Sequence, residues 1–211
     1  TLPLAIGAMV VATLASLTLG IFAATNHNRV GDYGVMGFSQ LGLAIPDFWF
    51  GILLIILFAV ILHWLPSGGF PGWDDGIWHG VRSLLLPILT QALSLTAIMT
   101  RVTRSSVLEV AREDYVRTAR AKGLSRRAAL WGHVLRNALI PVLTIGGLLV
   151  ATVVTGTLVI ENVFALPGVG KLIFDAISNR DLMVVKNVVL LFAAIVVAVN
   201  FVVDILYAMV D

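Results

Sequence analysis

One stretch of the chain has nearly the spacing of a phosphate-binding loop, and it departs from that motif at two positions. The string ALPGVGKL occupies residues 165–172. A phosphate loop begins with a glycine and places a serine or threonine after its lysine, because the backbone amides hold phosphate and the hydroxyl holds magnesium. Ala165 and Leu172 stand at those two positions. We therefore predict a turn-rich loop here rather than a nucleotide site.

The other reactive residue types are too scattered to predict catalysis. The chain has no cysteine, which excludes disulfides, thiolate chemistry and cysteine metal sites. Its four histidines have no spacing typical of metal ligands. Neither a Ser-His-Asp set nor a pair of catalytic carboxylates can be argued from the sequence. We predict that the chain is not an enzyme and that it binds no metal or cofactor of its own.

Polar residues within apolar stretches are costly in a membrane, and they are therefore candidates for a solute pathway. Four such residues occur together: Gln91, Ser94, Thr96 and Thr100. They are our candidates for the translocation pathway, with ordinary hydrogen bonding between helices as the alternative for each of them. Asn200 and Asp204 lie four residues apart, and we predict a structural polar contact there rather than a proton relay.

The positive charge of the chain is concentrated in residues 101–136. This basic segment holds nine of the fourteen Lys and Arg residues: Arg101, Arg104, Arg112, Arg117, Arg120, Lys122, Arg126, Arg127 and Arg136. Cationic loops of membrane proteins remain on the cytoplasmic side. The segment therefore predicts the orientation of the chain and a surface that faces a cytosolic partner. Because the basic residues are pooled in one loop, we do not predict nucleic acid as a partner.

The remainder of the chain is suited to a lipid bilayer. Hydrophobic residues make up 59% and charged residues 12% of the 211, and the mean hydropathy is +0.98. Five stretches reach the roughly 20 apolar residues that a spanning helix needs: residues 2–24, 41–65, 81–100, 138–160 and 183–210. We predict an all-α, polytopic transmembrane helical bundle. The 25–40 loop and Asp211 are then cytoplasmic, and the 66–80 and 161–182 loops lie outside.

Small residues predict where the spans pack closely. Helices in lipid gain little from burying apolar surface, so they associate through small side chains. The first span repeats small residues every four positions, at Ala8, Ala12, Ser16, Gly20 and Ala24. A shorter ridge follows in the fourth span, at Gly147, Ala151 and Thr155. We expect both ridges to be packing surfaces, either within the chain or against a partner subunit.

The middle of the basic segment predicts two short helices joined by a turn. Residues 106–122 are expected to form a surface helix, with an ion pair from Glu113 to Arg117. Gly123 can adopt the left-handed conformation that ends a helix, and Ser125 can cap the next one. The result is a helix-turn-helix on the cytoplasmic face, suited to contact with a soluble motor.

These residues resemble a known family. The strings DYVRTARAKGLS at 114–125 and LRNALIP at 135–141 are similar to the cytoplasmic coupling loop of permease subunits in bacterial binding-protein-dependent ABC importers, in the dipeptide, oligopeptide and nickel branch. The general pattern of Glu-Ala-Ala, three residues and Gly falls on Arg117, Thr118, Ala119 and Gly123, so its first two positions differ. Four more strings look like this branch: PDFWFG at 46–51, LPSGG at 65–69, ENVFALPGVG at 161–170 and NFVVDILY at 200–207.

The resemblance implies a function for the whole chain. Residues 1–211 would form one permease domain that lacks the N-terminal span of a full subunit, with the coupling loop at 101–136. Two cytoplasmic ATPase subunits would hold ATP and magnesium, a second permease would be a homologue, and an extracytoplasmic binding protein would deliver the solute, which we expect to be a di- or oligopeptide. The location implied is the bacterial inner membrane. The residues expected to contact the ATPase are Asp114, Tyr115, Arg117, Thr118, Ala119, Arg120, Lys122, Gly123 and Leu124.

Other functions remain open at this point. An importer of the same family for nickel or another solute would have a similar permease. A stand-alone secondary carrier or channel is the alternative from another class, and it predicts broken helices and intramembrane charges. Apart from Pro87 and Asp204, the sequence shows neither feature clearly. A membrane scaffold without transport activity is a third possibility, against which the coupling string argues.

Overall fold

The fold is built from helices throughout the part of the chain that the structure describes. This computed structural model describes the backbone of residues 1–210, and it describes the side chains there except at 151, 202–204 and 206–210. The elements are α1 (Leu2–Thr25), α2 (Val30–Ala44), α3 (Asp47–Leu54), a π-helical segment (Ile55–Ile61), α4 (Ile77–Val110), α5 (Asp114–Ala121), α6 (Arg126–Ala129), a second π-helical segment (Leu130–Val134), α7 (Leu135–Val163), α8 (Val169–Ser178) and α9 (Leu182–Val210). The predicted all-α bundle is confirmed.

Among the residues that the structure describes, four helices are long and apolar enough to cross a membrane, or five spans if one bent pair is counted. The bent pair joins Val30–Ala44 to Asp47–Ile61 at an angle of 102°. The second span predicted over 41–65 therefore corresponds to the helical stretch Asp47–Ile61 and to the end of α2, and the predicted 25–40 loop is mostly helix α2. The break falls before Pro46, where Ile45 is extended (φ −88°, ψ 124°). A residue that precedes proline is driven out of the helical region because its backbone collides with the ring.

Helix α4 is the longest element and extends beyond the third predicted span at both ends. Its 34 residues correspond to a length of about 51 Å, which exceeds the roughly 30 Å of a bilayer core. A helix of this length can reach from one side of the membrane to the other. Residues 101–110, predicted as the start of a loop, are the last turns of this helix. Pro87 lies inside it without ending it.

The centre of the bundle is the contact of α1 with α4 and α7. Ala8, Ala12 and Ser16 are completely buried, as the four-residue ridge predicts. A Cβ atom added to Gly20 would lie 2.5 Å from the Cβ of Thr103 in α4, so only a hydrogen fits there. The apolar cluster around this seam contains Ala5, Ala8 and Ala12 from α1, Ala92, Leu95 and Met99 from α4, and Val142, Leu149 and Val153 from α7.

The second small-residue ridge is less buried than the first at the two positions whose side chains the structure describes. In α7, Gly147 is half-buried and Thr155 is exposed, while the side chain of Ala151 lies outside the described residues. The buried face of α7 instead includes Gly146, Leu149 and Val153. The alternative use of this ridge, as a seam with a partner subunit, stays a prediction.

Candidate coupling site

The chain turns sharply between α4 and α5, so the single surface helix predicted over 106–122 is wrong. Backbone bonds from Ala111 N–H to the Val107 carbonyl and from Arg112 N–H to the Glu109 carbonyl, both 3.0 Å, close the end of α4. Glu113 is extended (φ −61°, ψ 145°) and precedes the new helix. Asp114 occupies the first turn of α5, where its charge favours a helix N-terminus. Residues 114–121 therefore form a separate short helix.

The turn after α5 has the predicted conformation. Gly123 has φ +99°, a left-handed value that a side chain would strain. The Leu124 N–H donates to the Ala119 carbonyl at 3.3 Å across this turn. Ser125 Oγ accepts the Ala128 N–H at 3.2 Å and caps α6. Helix α5, the turn and α6 confirm the predicted helix-turn-helix.

One buried side chain attaches α5 to the transmembrane helices. Within α5, all of which the structure describes, Val116 is the single buried residue, with 2% of its surface exposed. It belongs to an apolar cluster, which we call the anchor cluster, composed of Ala24, Val107, Val116, Ala129, Val134, Leu135 and Ala138. These residues come from the end of α1, the end of α4, the α6 region and the start of α7. Helix α5 is therefore joined to three long helices through this cluster.

The predicted coupling residues surround this anchor and face outward. Eight of the nine are exposed and Ala119 is half-buried. Tyr115 is fixed, because its hydroxyl accepts a 2.7 Å hydrogen bond from Asn137 Nδ2 of α7, while 43% of its surface remains accessible. The predicted pair of Glu113 with Arg117 is wrong. Arg117 Nη1 instead lies 3.4 Å from Asp114 Oδ1, where both side chains are exposed and the stabilisation is small.

Arg104 of the basic segment does not point to a cytosolic partner, because it pairs inside the protein. Its Nε and Nη2 atoms lie 2.5 and 2.7 Å from the two carboxylate oxygens of Asp32 in α2. Asp32 is 1% exposed, and it also accepts the Asn28 N–H at 2.9 Å. His27 Nδ1 lies 3.2 Å from the same carboxylate. This ion pair fixes the start of α2 to the C-terminal part of α4.

The four candidate pathway residues are not equivalent. Gln91, Thr96 and Thr100 are buried, and Gln91 Nε2 donates to the Val153 carbonyl at 2.7 Å. Ser94 is half-buried, and its hydroxyl lies 3.3 Å from Asp47 Oδ2 at the start of α3. Ser94 therefore remains the candidate with the most accessible position, together with Asp47, which sequence reasoning missed. The side chain of Asp204 lies outside the described residues.

The string that approaches a phosphate loop forms a locked turn at the other end of the bundle. Glu161 is completely buried, and its Oε2 atom accepts the Gly170 N–H of α8 at 2.7 Å. The Phe164 carbonyl accepts the Gly69 N–H at 2.8 Å, which joins this turn to the 65–69 loop. The Glu161 carboxylate thus accepts the hydrogen bond of the Gly170 amide, which a phosphate would have to accept in a phosphate loop.

Comparison with known proteins supports the predicted family by sequence similarity and by similarity of fold. A family model described as "Binding-protein-dependent transport system inner membrane component" matches residues 16–211. The chain is 44% identical to the di/tripeptide transport system permease protein DppB of Pseudomonas aeruginosa, over 99% of the chain and 68% of that protein. It is 41% identical to the oligopeptide transport system permease protein AppB of Bacillus subtilis, over 100% of the chain and 67% of that protein.

The fold also matches a solved transporter. The chain aligns over its full length with 92% of a chain from the MetNI methionine ABC transporter in an inward-facing conformation, with a TM-score of 0.81. The sequence identity in that alignment is 16%, so the similarity concerns the fold alone.

Proposed function

Because the chain belongs to the family of binding-protein-dependent transport system inner membrane components, a multi-pass group of the bacterial inner membrane, we propose that it takes di- and oligopeptides through the membrane as one permease of an ATP-driven importer. The named relatives that align over the whole chain, at 41% and 44% identity, support peptides as the solute rather than nickel. As a permease subunit it is not itself an ATPase.

The observation that carries this proposal is the attachment of α5. An exposed, charged helix that is joined to α1, α4 and α7 through the anchor cluster suits the transfer of motion from a soluble subunit. A helix that served only as a topology signal would need charge but no such attachment. The nine predicted coupling residues form the surface that would meet the ATPase.

The mechanism we propose is alternating access driven from the cytoplasm. ATP and magnesium would bind to two separate ATPase subunits, each of which contacts the α5 surface of one permease. A partner shifts a conformational equilibrium only by its different affinity for the two states. ATP binding would therefore change how the ATPase holds α5. An extracytoplasmic binding protein would supply the peptide, and a homologous second permease would complete the pathway.

The test is to disturb the α5 surface in the full-length subunit, assembled with its partner subunits in proteoliposomes. Gly123→Val forces a side chain into the left-handed turn, and Arg117→Glu reverses a charge beside Asp114. We expect each variant to insert normally and to lose at least tenfold in both peptide uptake and peptide-stimulated ATP hydrolysis.

The matched control is Arg180→Glu, which makes the same charge reversal at an exposed site after α8. It should transport like the wild type. Uptake and ATPase stimulation that stay unchanged in both α5 variants would show that this surface does not couple the subunits.

A further inference from the structure

A basic groove lies at the end of the bundle opposite the coupling site. It has a volume of about 660 Å³ and lies between the loop that follows the first π-helical segment and the start of α4. Three of its lining side chains are basic: His63, His79 and Arg82. The other lining residues, all in the described part of the chain, include no Asp or Glu. The groove is therefore suited to a negatively charged group.

Arg82 is the fixed cation of this groove. It is half-buried, and its Nη2 atom donates a 2.5 Å hydrogen bond to the Trp64 carbonyl. Within the described residues no carboxylate pairs with it, in contrast to Arg104 at the other end of α4. A guanidinium has five N–H donors in a planar fork that matches the oxygens of a phosphate. One bond to a carbonyl leaves most of these donors available to a bound anion.

The surroundings of the groove place it at the level of lipid head groups. It lies at the start of the roughly 51 Å α4 helix, so it is on the outer side if the basic segment is cytoplasmic. Trp64, Trp73 and Trp78 are 61%, 46% and 67% exposed around it. Tryptophan is enriched at the membrane interface because its ring is amphipathic.

An exposed apolar surface leads away from the groove toward the membrane centre. The π-helical segment that ends just before the groove exposes Ile56, Leu57, Val60 and Ile61, each by 44% to 63%. Such a surface provides space for acyl chains directly below a site for a phosphate. A soluble anion would make use of the basic side chains alone.

We propose that this groove binds an anionic phospholipid of the outer leaflet, with its phosphate on Arg82 between His63 and His79 and its acyl chains along the π-helical segment. Hydrogen bonds between arginine and phosphate are among the strong ones, because both groups are charged and the guanidinium can donate two parallel bonds. The bound lipid would hold the outer end of α4 against the 63–71 loop.

The experiment is native mass spectrometry of the full-length subunit in its assembled complex. Phosphatidylglycerol or phosphatidylcholine is added to the complex in detergent, and the lipid that stays bound after the detergent is removed in the instrument is measured. We expect the wild type to retain phosphatidylglycerol in preference to phosphatidylcholine. Arg82→Gln should lower phosphatidylglycerol occupancy at least fivefold. The matched control Arg180→Gln removes an exposed cation outside the groove and should retain the lipid like the wild type.

Two further variants separate lost binding from a disturbed loop, because Arg82 also bonds to Trp64. Arg82→Lys keeps the charge and should restore most of the occupancy, while His79→Gln should lower it about twofold. Equal phosphatidylglycerol retention by wild type and Arg82→Gln would overturn the proposal. Displacement of the lipid by millimolar glycerol 3-phosphate would also overturn it, because the site would then be one for soluble phosphates.

Discussion

Asp32 and Arg104 form an ion pair in which the carboxylate compensates the charge of a partly buried arginine. Both carboxylate oxygens accept from the guanidinium, and the pair excludes most solvent from Asp32. A buried pair of this kind contributes little when compared with apolar side chains of the same size, but the loss of one partner leaves a charge without compensation. The pair is therefore sensitive to single substitutions.

Asp32→Ala should destabilise the subunit. Arg104 is 22% exposed in its side chain, so we expect a loss on the order of 2–3 kcal/mol, at or just below the range for a fully buried pair. The measurement is thermal unfolding of the purified full-length protein in detergent. Asp175→Ala, at an exposed site in α8, is the control and should unfold like the wild type. The double variant Asp32→Leu with Arg104→Met should recover most of the loss, and a double variant as unstable as Asp32→Ala would contradict the pairing argument.

Single residues could be predicted from the sequence where their role depends on near neighbours. The left-handed Gly123 and the cap at Ser125 are decided within a few positions of the chain, and both are confirmed. Asp32 and Arg104 are 72 positions apart. Their pairing depends on the packing of α2 against α4, about which neither local pattern carries information. The wrong pair of Glu113 with Arg117 came from assuming a continuous helix.

At the scale of elements, close packing depends on glycine and alanine at the α1 seam. Gly20 lies against the side chain of Thr103 and the Thr100 carbonyl, so α1 and α4 approach one another without an intervening side chain. This seam was predictable, because a four-residue repeat of small residues has few other uses in an apolar helix.

Gly20→Ala should separate α1 from α4 and destabilise the protein by about 1–3 kcal/mol, the usual range for overpacking. The control is Gly34→Ala in α2, where an added Cβ meets no atom within 4 Å. There we expect no loss, or a gain of up to about 1 kcal/mol from better helix propensity. Thermal unfolding in detergent measures both, and equal stability of the two variants would show that the seam tolerates a methyl group.

The bent helix pair was not predictable from hydropathy. The stretch at 41–65 is apolar on both sides of the bend, so a hydropathy average over this stretch does not detect the bend. Pro46 was the local indication of a helix break. Pro87 is also a proline, yet it lies inside the unbroken helix α4. The difference between them depends on tertiary contacts. Backbone that is not helical is tolerated at membrane depth where protein or a water-filled cavity surrounds it.

At the scale of the whole molecule, the two ends of α4 lie in different surroundings. The C-terminal end meets the anchor cluster and the coupling surface, while the N-terminal end meets the basic groove and the turn locked by Glu161. One continuous helix, α4, thus connects the region where ATPase contact is proposed with the region where lipid contact is proposed.

The orientation can be measured by cysteine labelling in a cysteine-free background, and residues 1–211 contain no cysteine. Asp75→Cys and Arg127→Cys introduce single thiols at exposed sites beyond opposite ends of the bundle. We expect a membrane-impermeant maleimide to label Asp75→Cys in intact spheroplasts, and to label Arg127→Cys only after permeabilisation. The reverse pattern would place the coupling surface outside the cell and would refute the predicted topology.

Helix α5 is attached to the bundle through Val116 and Tyr115, and its charged residues lie outside these contacts. Val116 packs into the anchor cluster and Tyr115 bonds to Asn137 of α7, whereas Asp114, Arg117 and Arg120 are exposed. These exposed residues can therefore change during evolution together with the ATPase that they are proposed to contact, and the interior need not repack. Exchanging those residues between paralogous importers, with Val116 retained, would need the fewest substitutions to give a permease that accepts the ATPase of another importer.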